Sequence, residues 1–248
     1  MKVLSFFIIL FLSINSNAYS LYENSEGQNL TWKEPLIEII LDYSMLKIGK
    51  KKSIELAVKE SFDLWVEDAS LPLNIDLFWD DCNEISNDGN NCIFACYDGN
   101  CKRKKHKAST TYLHVTRYKD CILGVDIVLN IDDWNWNLDC DDKDGLCFGI
   151  VLAHEFGHMI GIGHSEEHNA IMYPLYKYNG VFELHDDDIE AVEVLYGGIV
   201  YKERDFYELA CSSSIIGNDN SNSIFDLFFI IFIRRFNAFC DFRPSFWS

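Results

Sequence analysis

His154, Glu155, His158 and His164 stand within one eleven-residue run, 154–164, whose side chains and spacing suit a catalytic zinc ion. On a helix, residues four apart share a face, so His154 and His158 aim their imidazoles at one point. Glu155 sits one step round from His154, close enough to touch a metal-bound water without ligating the metal. Gly161 supplies the turn that a third ligand needs. Glycine tolerates the left-handed conformation that ends a helix, which lets His164 come back to the same ion. Three neutral imidazoles at about 2.0–2.1 Å leave the fourth tetrahedral position to water, the arrangement of a catalytic rather than a structural zinc. Such an ion lowers the water's pKa towards ~7, and Glu155 can take its proton as it attacks a carbonyl. The plain alternative is a buried helix whose histidines are satisfied core residues.

A bare H-E-x-x-H arises by accident. Here the pattern extends to His164 and is followed by Met172 at a suitable distance. The extended run resembles that of the metzincins and, among them, the matrixins, the family that includes the matrix metalloproteinases. Ser165 follows the third histidine, as is usual for matrixins. Ala170-Ile171-Met172-Tyr173-Pro174-Leu175-Tyr176 resembles the matrixin Met-turn and the Pro-x-Tyr wall of its specificity pocket. The stretch from Asp187-Asp188 to Tyr196-Gly197 is similar to the closing helix, and Leu30-Thr31-Trp32 and Phe62-Asp63-Leu64-Trp65 to the opening strand and first helix. The resemblance covers about residues 30–197.

It implies an α+β, metzincin (zincin-like) fold: a twisted, mostly parallel sheet with one antiparallel edge strand, packed on about three helices. The edge is expected near 119–123, where a protein or peptide substrate would add as a further strand. By the same resemblance Met172 packs under the ligand histidines, and Pro174 and Tyr176 wall the pocket. Met172 as a flexible core filler and Tyr176 as core packing are the plainer readings. The chain departs from vertebrate matrixins in two ways. It has no Pro-Arg-Cys-Gly segment, so a cysteine plug on the zinc is not expected. Nor does it have the histidine-and-aspartate loop of a second, structural zinc; a cysteine-rich stretch occupies that region.

Periodicity supplies the elements that must hold these residues. Residues 35–43 read as a strand. Ile54, Ala57, Val58, Phe62, Trp65, Val66 and Ala69 recur at helical spacing and form a stripe to pack on a sheet. Residues 73–79 alternate, with Asn74, Asp76 and Phe78 on one face, while 110–116 and 124–131 are rich in β-branched residues. The zinc helix is expected over about 146–160 and the last helix over 187–196, with acidic residues at its start and Gly197 as its stop. Residues 80–107 read as a turn-rich, cysteine-tied insertion.

Residues 1–18 read as a signal peptide: Lys2, an apolar run, then Ser16-Asn17-Ala18 as the cleavage site, with Ser20 as second choice. That apolar run is too short for a stable membrane span, although an uncleaved anchor is the alternative. Export makes sense of nine cysteines, an odd number that leaves one free or intermolecular. Local pairing gives Cys96–Cys101, Cys140–Cys147 and Cys211–Cys240. A net charge of −18 repels nucleic acid and acidic membranes. The one basic run, 102–107, reads as a solvated loop, with a docking patch for acidic substrate as the sharper option. The acidic loop from Asp139 to Gly145 reads as a loop preceding the helix, with Ca²⁺ as the alternative, because Lys143 falls where an oxygen ligand is needed. His106, His114, His168 and His185 have no ligand spacing.

The domain plan is therefore a signal peptide at 1–18, a matrixin-like catalytic domain at 19–197 and a tail of unknown role at 198–248. The function expected is that of a secreted, monomeric zinc-dependent endopeptidase. The alternative is a catalytically silent, zinc-containing peptide-binding module of the same fold.

Overall fold

The computed structural model describes residues 18–199, apart from 83, 100–106, 116–118, 141–144 and 176–181. In chain order the elements are β1 (Tyr19–Leu21), β2 (Leu36–Leu41), α1 (Lys51–Asp68), β3 (Asn74–Trp79), β4 (Asn91–Cys96), β5 (Ser109–Val115) and β6 (Ile122–Asn130). Then come β7 (Trp136–Asn137), β8 (Leu146–Cys147), α2 (Phe148–Met159), β9 (Ile162–Ser165) and α3 (Asp186–Tyr196). Residues 1–17 of the expected leader, the centre of the Asp139 loop, Tyr176 and the tail from 200 onward lie outside the described residues.

Five strands form the main sheet in the order β3-β2-β4-β6-β5, all parallel except β5, which runs antiparallel to β6 at the edge. Three helices and a mostly parallel sheet with one antiparallel edge are the architecture expected from the sequence. The position of that edge is corrected. Residues 119–123 lead into β6, an interior strand, and the antiparallel edge is β5 at Ser109–Val115. The run Ile122–Asn130 is buried along nearly its whole length, so it needs a neighbour on both sides, whereas the hydroxyl-rich β5 tolerates a half-open position.

A second correction falls at 91–96. The turn-rich insertion expected over 80–107 contains β4, a fully buried strand that sits between β2 and β6. Its two faces serve different layers. Ile93 and Ala95 join the main core, while Cys92, Phe94 and Cys96 pack with Val128, Tyr112 and Cys82 on the other side. Burial on both faces removes the alternation that marks a strand, so the segment reads only as a short run between turns.

The main core lies between the sheet and α1 and α2. α1 buries Ile54, Ala57, Val58, Phe62 and Trp65 of the expected stripe, together with Ser61, while Val66 and Ala69 are partly buried against the core. Phe62 meets Phe156 of α2 edge-on, with ring centroids 5.4 Å apart, and the Trp65 indole donates to the Ala153 carbonyl at 3.0 Å. These contacts seat the helix that carries His154 and His158. β3 shows the alternation expected of it, with Asn74, Asp76 and Phe78 turned outward.

Two disulfides close loops among the described residues, Cys82–Cys92 and the expected Cys140–Cys147. The first was not among the expected local pairs; it ties the start of the 83–91 loop to β4. Cys101, Cys211 and Cys240 lie outside the described residues, and with them both remaining expected pairs. No helix among the described residues is long and apolar enough to cross a membrane.

Removing the ten-residue tether with Cys82→Ala and Cys92→Ala together is expected to cost about 2–3 kcal/mol of unfolding free energy. Urea titration of the oxidised protein measures it. An unchanged midpoint would show that the 83–91 loop is held without the bridge.

Candidate metal centre and its cleft

Helix α2 delivers the first two imidazoles on one face, and the chain must then reverse to deliver the third. It does so at Gly161, whose φ of +101° is open to glycine and strained for other residues. A Cβ there would lie 2.3 Å from the Leu30 carbonyl oxygen, so space forbids a side chain as well. The carbonyls freed by the end of α2 find side-chain donors. The Trp32 indole donates to Met159 O and the Tyr196 hydroxyl to Ile160 O, each at 2.9 Å.

Beyond the turn, β9 is held by the N-terminal strand. β1 pairs antiparallel with β9, and the Ser20 hydroxyl donates to the His164 carbonyl at 2.9 Å. β1 thus begins at the residue that follows the first-choice cleavage site. Ser165, next to the third histidine, is buried. It donates its hydroxyl to Asp187 Oδ2 at 2.5 Å and receives the Glu167 N–H at 2.9 Å.

These supports bring His154, His158 and His164 together, with one nitrogen of each ring within 4.8 Å of the others. Ring centroids are 4.7, 4.9 and 5.4 Å apart. His154 Nδ1 faces the Ile171 carbonyl at 2.7 Å and His158 Nδ1 faces the Ile162 carbonyl at 2.8 Å. A carbonyl only accepts, so both Nδ1 atoms carry the proton and donate, leaving each Nε2 lone pair free for a cation. Burial, reinforced by the neighbouring His154, pushes the His158 pKa down to about 4; burial also lowers that of the more exposed His164. Imidazoles that present a free Nε2 are a donor set that zinc takes, so the residues present fit the ion.

Glu155 is buried at 4% exposure, facing β5. Ser109 Oγ donates to its Oε1, and Thr111 Oγ1 donates to its Oε2 at 2.5 Å. The Tyr22 hydroxyl lies 3.2 Å from His158 Nδ1, and its pKa is raised by burial and by the Glu155 charge. Histidines and glutamate open into a cleft of about 1050 Å³ whose rim includes Lys107, Trp134, Ile150, Pro174 and Leu184. Lys107 is the one residue of the basic run among the described residues.

Met172 is fully buried, with its sulfur pressed against α2 at Gly157, where a Cβ would come within 2.1 Å of Sδ. The turn bearing it is clamped by Asp188, a buried carboxylate on the first turn of α3. Asp188 receives the N–H groups of Ile171 at 2.8 Å, Met172 at 3.1 Å and His185 at 3.0 Å. Burial lifts its pKa and the three N–H donors oppose that rise. The remaining described histidines lie elsewhere. His185 caps α3, His168 stacks edge-on with Tyr173, and His114 sits 3.3 Å from Asp126 on the sheet.

Sequence reading did not single out Asp188, Ser109, Thr111 or Tyr22. The acidic start of α3 was visible, but its second role as a clamp on the Met172 turn depends on where α3 docks. The alternating hydroxyls at 109 and 111 were a signal only once β5 faced Glu155.

Compared with known proteins, the chain matches the matrixin peptidase family, Matrixin, over residues 32–197. That is more than half of its length, and this chain belongs to the matrixins. It is 45% identical over 65 residues to the 72 kDa type IV collagenase of Gallus gallus. The match covers 26% of this chain and 10% of that relative, so the two share only a segment.

Asp188→Ala strands three backbone N–H groups and is expected to lower stability by about 3 kcal/mol. It also loosens Ile171, whose carbonyl orients His154, so zinc affinity falls ~10-fold. Calorimetry and a competitive zinc titration read the two effects; full zinc affinity in a destabilised variant would separate the clamp from the metal site. Gly157→Ala forces a Cβ against Met172 and Trp65 and is expected to cost about 1–3 kcal/mol by thermal melting.

Proposed function

We propose that this chain is a secreted zinc-dependent endopeptidase in which Glu155 is the general base. The observation that carries the reading is the meeting of three imidazoles with a buried carboxylate, in a cleft bordered by a sheet edge. Family membership supports the metallopeptidase class and the zinc. Two disulfides among the described residues support an oxidising compartment.

His154, His158 and His164 would hold the ion through Nε2, with Ile171 and Ile162 fixing two of the rings. Zinc so held supplies Lewis acidity, which acidifies a water and stabilises the oxyanion that develops on a carbonyl. Among the described residues β5 has a strand on one side only, so an extended substrate adds along its outer edge and main-chain hydrogen bonds capture many sequences alike. Glu155 takes a proton from the attacking water and passes it to the leaving nitrogen, so the peptide C–N bond breaks to a carboxylate and an amine. Met172 packs beneath α2 and keeps the ligand helix in register. Pro174, on the rim of the cleft, would wall the pocket that receives a substrate side chain, a role the matrixin resemblance also implies for Tyr176. Lys107 on the rim offers a positive charge within a field that is otherwise strongly negative.

Glu155→Gln keeps the shape of the site and removes the base. It is expected to lower kcat ~10²–10⁴-fold while zinc content stays at one per chain, and a zinc chelator is expected to abolish turnover reversibly. Peptide-library cleavage read by mass spectrometry measures both. A folded, zinc-loaded wild type without turnover would favour the silent peptide-binding module.

A further inference from the structure

Glu155 has three side-chain torsions and sits on a helix, yet a base works only when an oxygen lies within ~2.6–3.2 Å of the proton it takes. Something must choose among its rotamers. Both carboxylate oxygens are engaged by one strand: Ser109 donates to Oε1 and Thr111 to Oε2. These residues alternate along β5, so they share a face; Leu113, next on that face, packs against the core instead. The hydroxyl pair therefore lies where α2 passes over the beginning of the edge strand.

We infer that Ser109 and Thr111 are positioning residues, a two-point hydroxyl clamp that sets the plane and depth of the Glu155 carboxylate. This rests on reading Glu155 as the general base. A carboxylate offers about four lone-pair sites, so one hydroxyl on each oxygen leaves each oxygen a further site for a water proton. Hydroxyl-to-carboxylate bonds are charge-assisted and about twice as strong as neutral ones, and two of them define an orientation that one does not. They also compensate the burial of the carboxylate, which without donors is costly. The same strand presents its outer edge to substrate. Main-chain capture and placement of the base are thereby fixed by one rigid element, with no loop between them.

The test uses the zinc-loaded full chain with Ser109→Ala, Thr111→Val and the conservative Thr111→Ser. Each deletion is expected to lower kcat ~10-fold with KM within about two-fold and zinc content unchanged, because misplacement of a reacting group acts on the chemical step. Thr111→Ser restores kcat. Crystal structures are expected to show Glu155 in one rotamer in the wild type and spread over several in Ser109→Ala or Thr111→Val. The clamp is overturned if both deletions leave kcat and the rotamer unchanged, if the loss is confined to KM, or if Thr111→Ser is as impaired as Thr111→Val. An inactive wild type, or a Glu155→Gln variant as active as wild type, overturns the reading of Glu155 itself and this inference with it.

Discussion

Three imidazoles meet at one point only if the chain reverses between His158 and His164. That reversal is the constraint on which the molecule is built. Gly161 makes it possible by its positive φ and by having no Cβ to strike the Leu30 carbonyl. The reversal ends α2 abruptly, and its last carbonyls need partners. Trp32, from just before the sheet begins, and Tyr196, from the last turn of α3, supply them. Trp32 and Tyr196, far apart in sequence, thus converge on the turn that aims the third imidazole.

A second convergence fixes the first imidazole. His154 is oriented by the Ile171 carbonyl, Ile171 and Met172 are held by Asp188, and Asp188 lies in the first turn of α3. The closing helix therefore supports the candidate metal site, although none of the three imidazoles comes from it. Burial serves the same end electrostatically. Imidazoles withdrawn from water and set beside one another resist protonation, which keeps their lone pairs available.

How much of this was legible in the sequence follows from the range of each interaction. The zinc helix, α1, β3 and α3 are local patterns and appear close to the expected boundaries, because helical stripes and strand alternation record which face is buried. β4 was lost because a strand buried on both faces has no alternation to show, and its cysteines drew it into the neighbouring loops. The antiparallel edge was set too late in the chain because strand order is a tertiary property; both β5 and β6 are rich in β-branched residues, and only pairing decides which lies outside. At the site, the meeting of the three histidines was written in the spacing of one short run. The clamps on it were not, since Asp188 acts across 16 residues on Met172 and Thr111 across 44 on Glu155.

The account stands on one ion held by His154, His158 and His164, and X-ray absorption at the zinc edge of the purified, oxidised protein addresses it most directly. The predicted result is one zinc per chain with a first shell of nitrogen and oxygen only, at about 2.0–2.1 Å, and multiple-scattering features of three imidazoles. A chain without zinc, or a shell containing sulfur at about 2.3 Å, would contradict it by placing the metal on cysteines or nowhere.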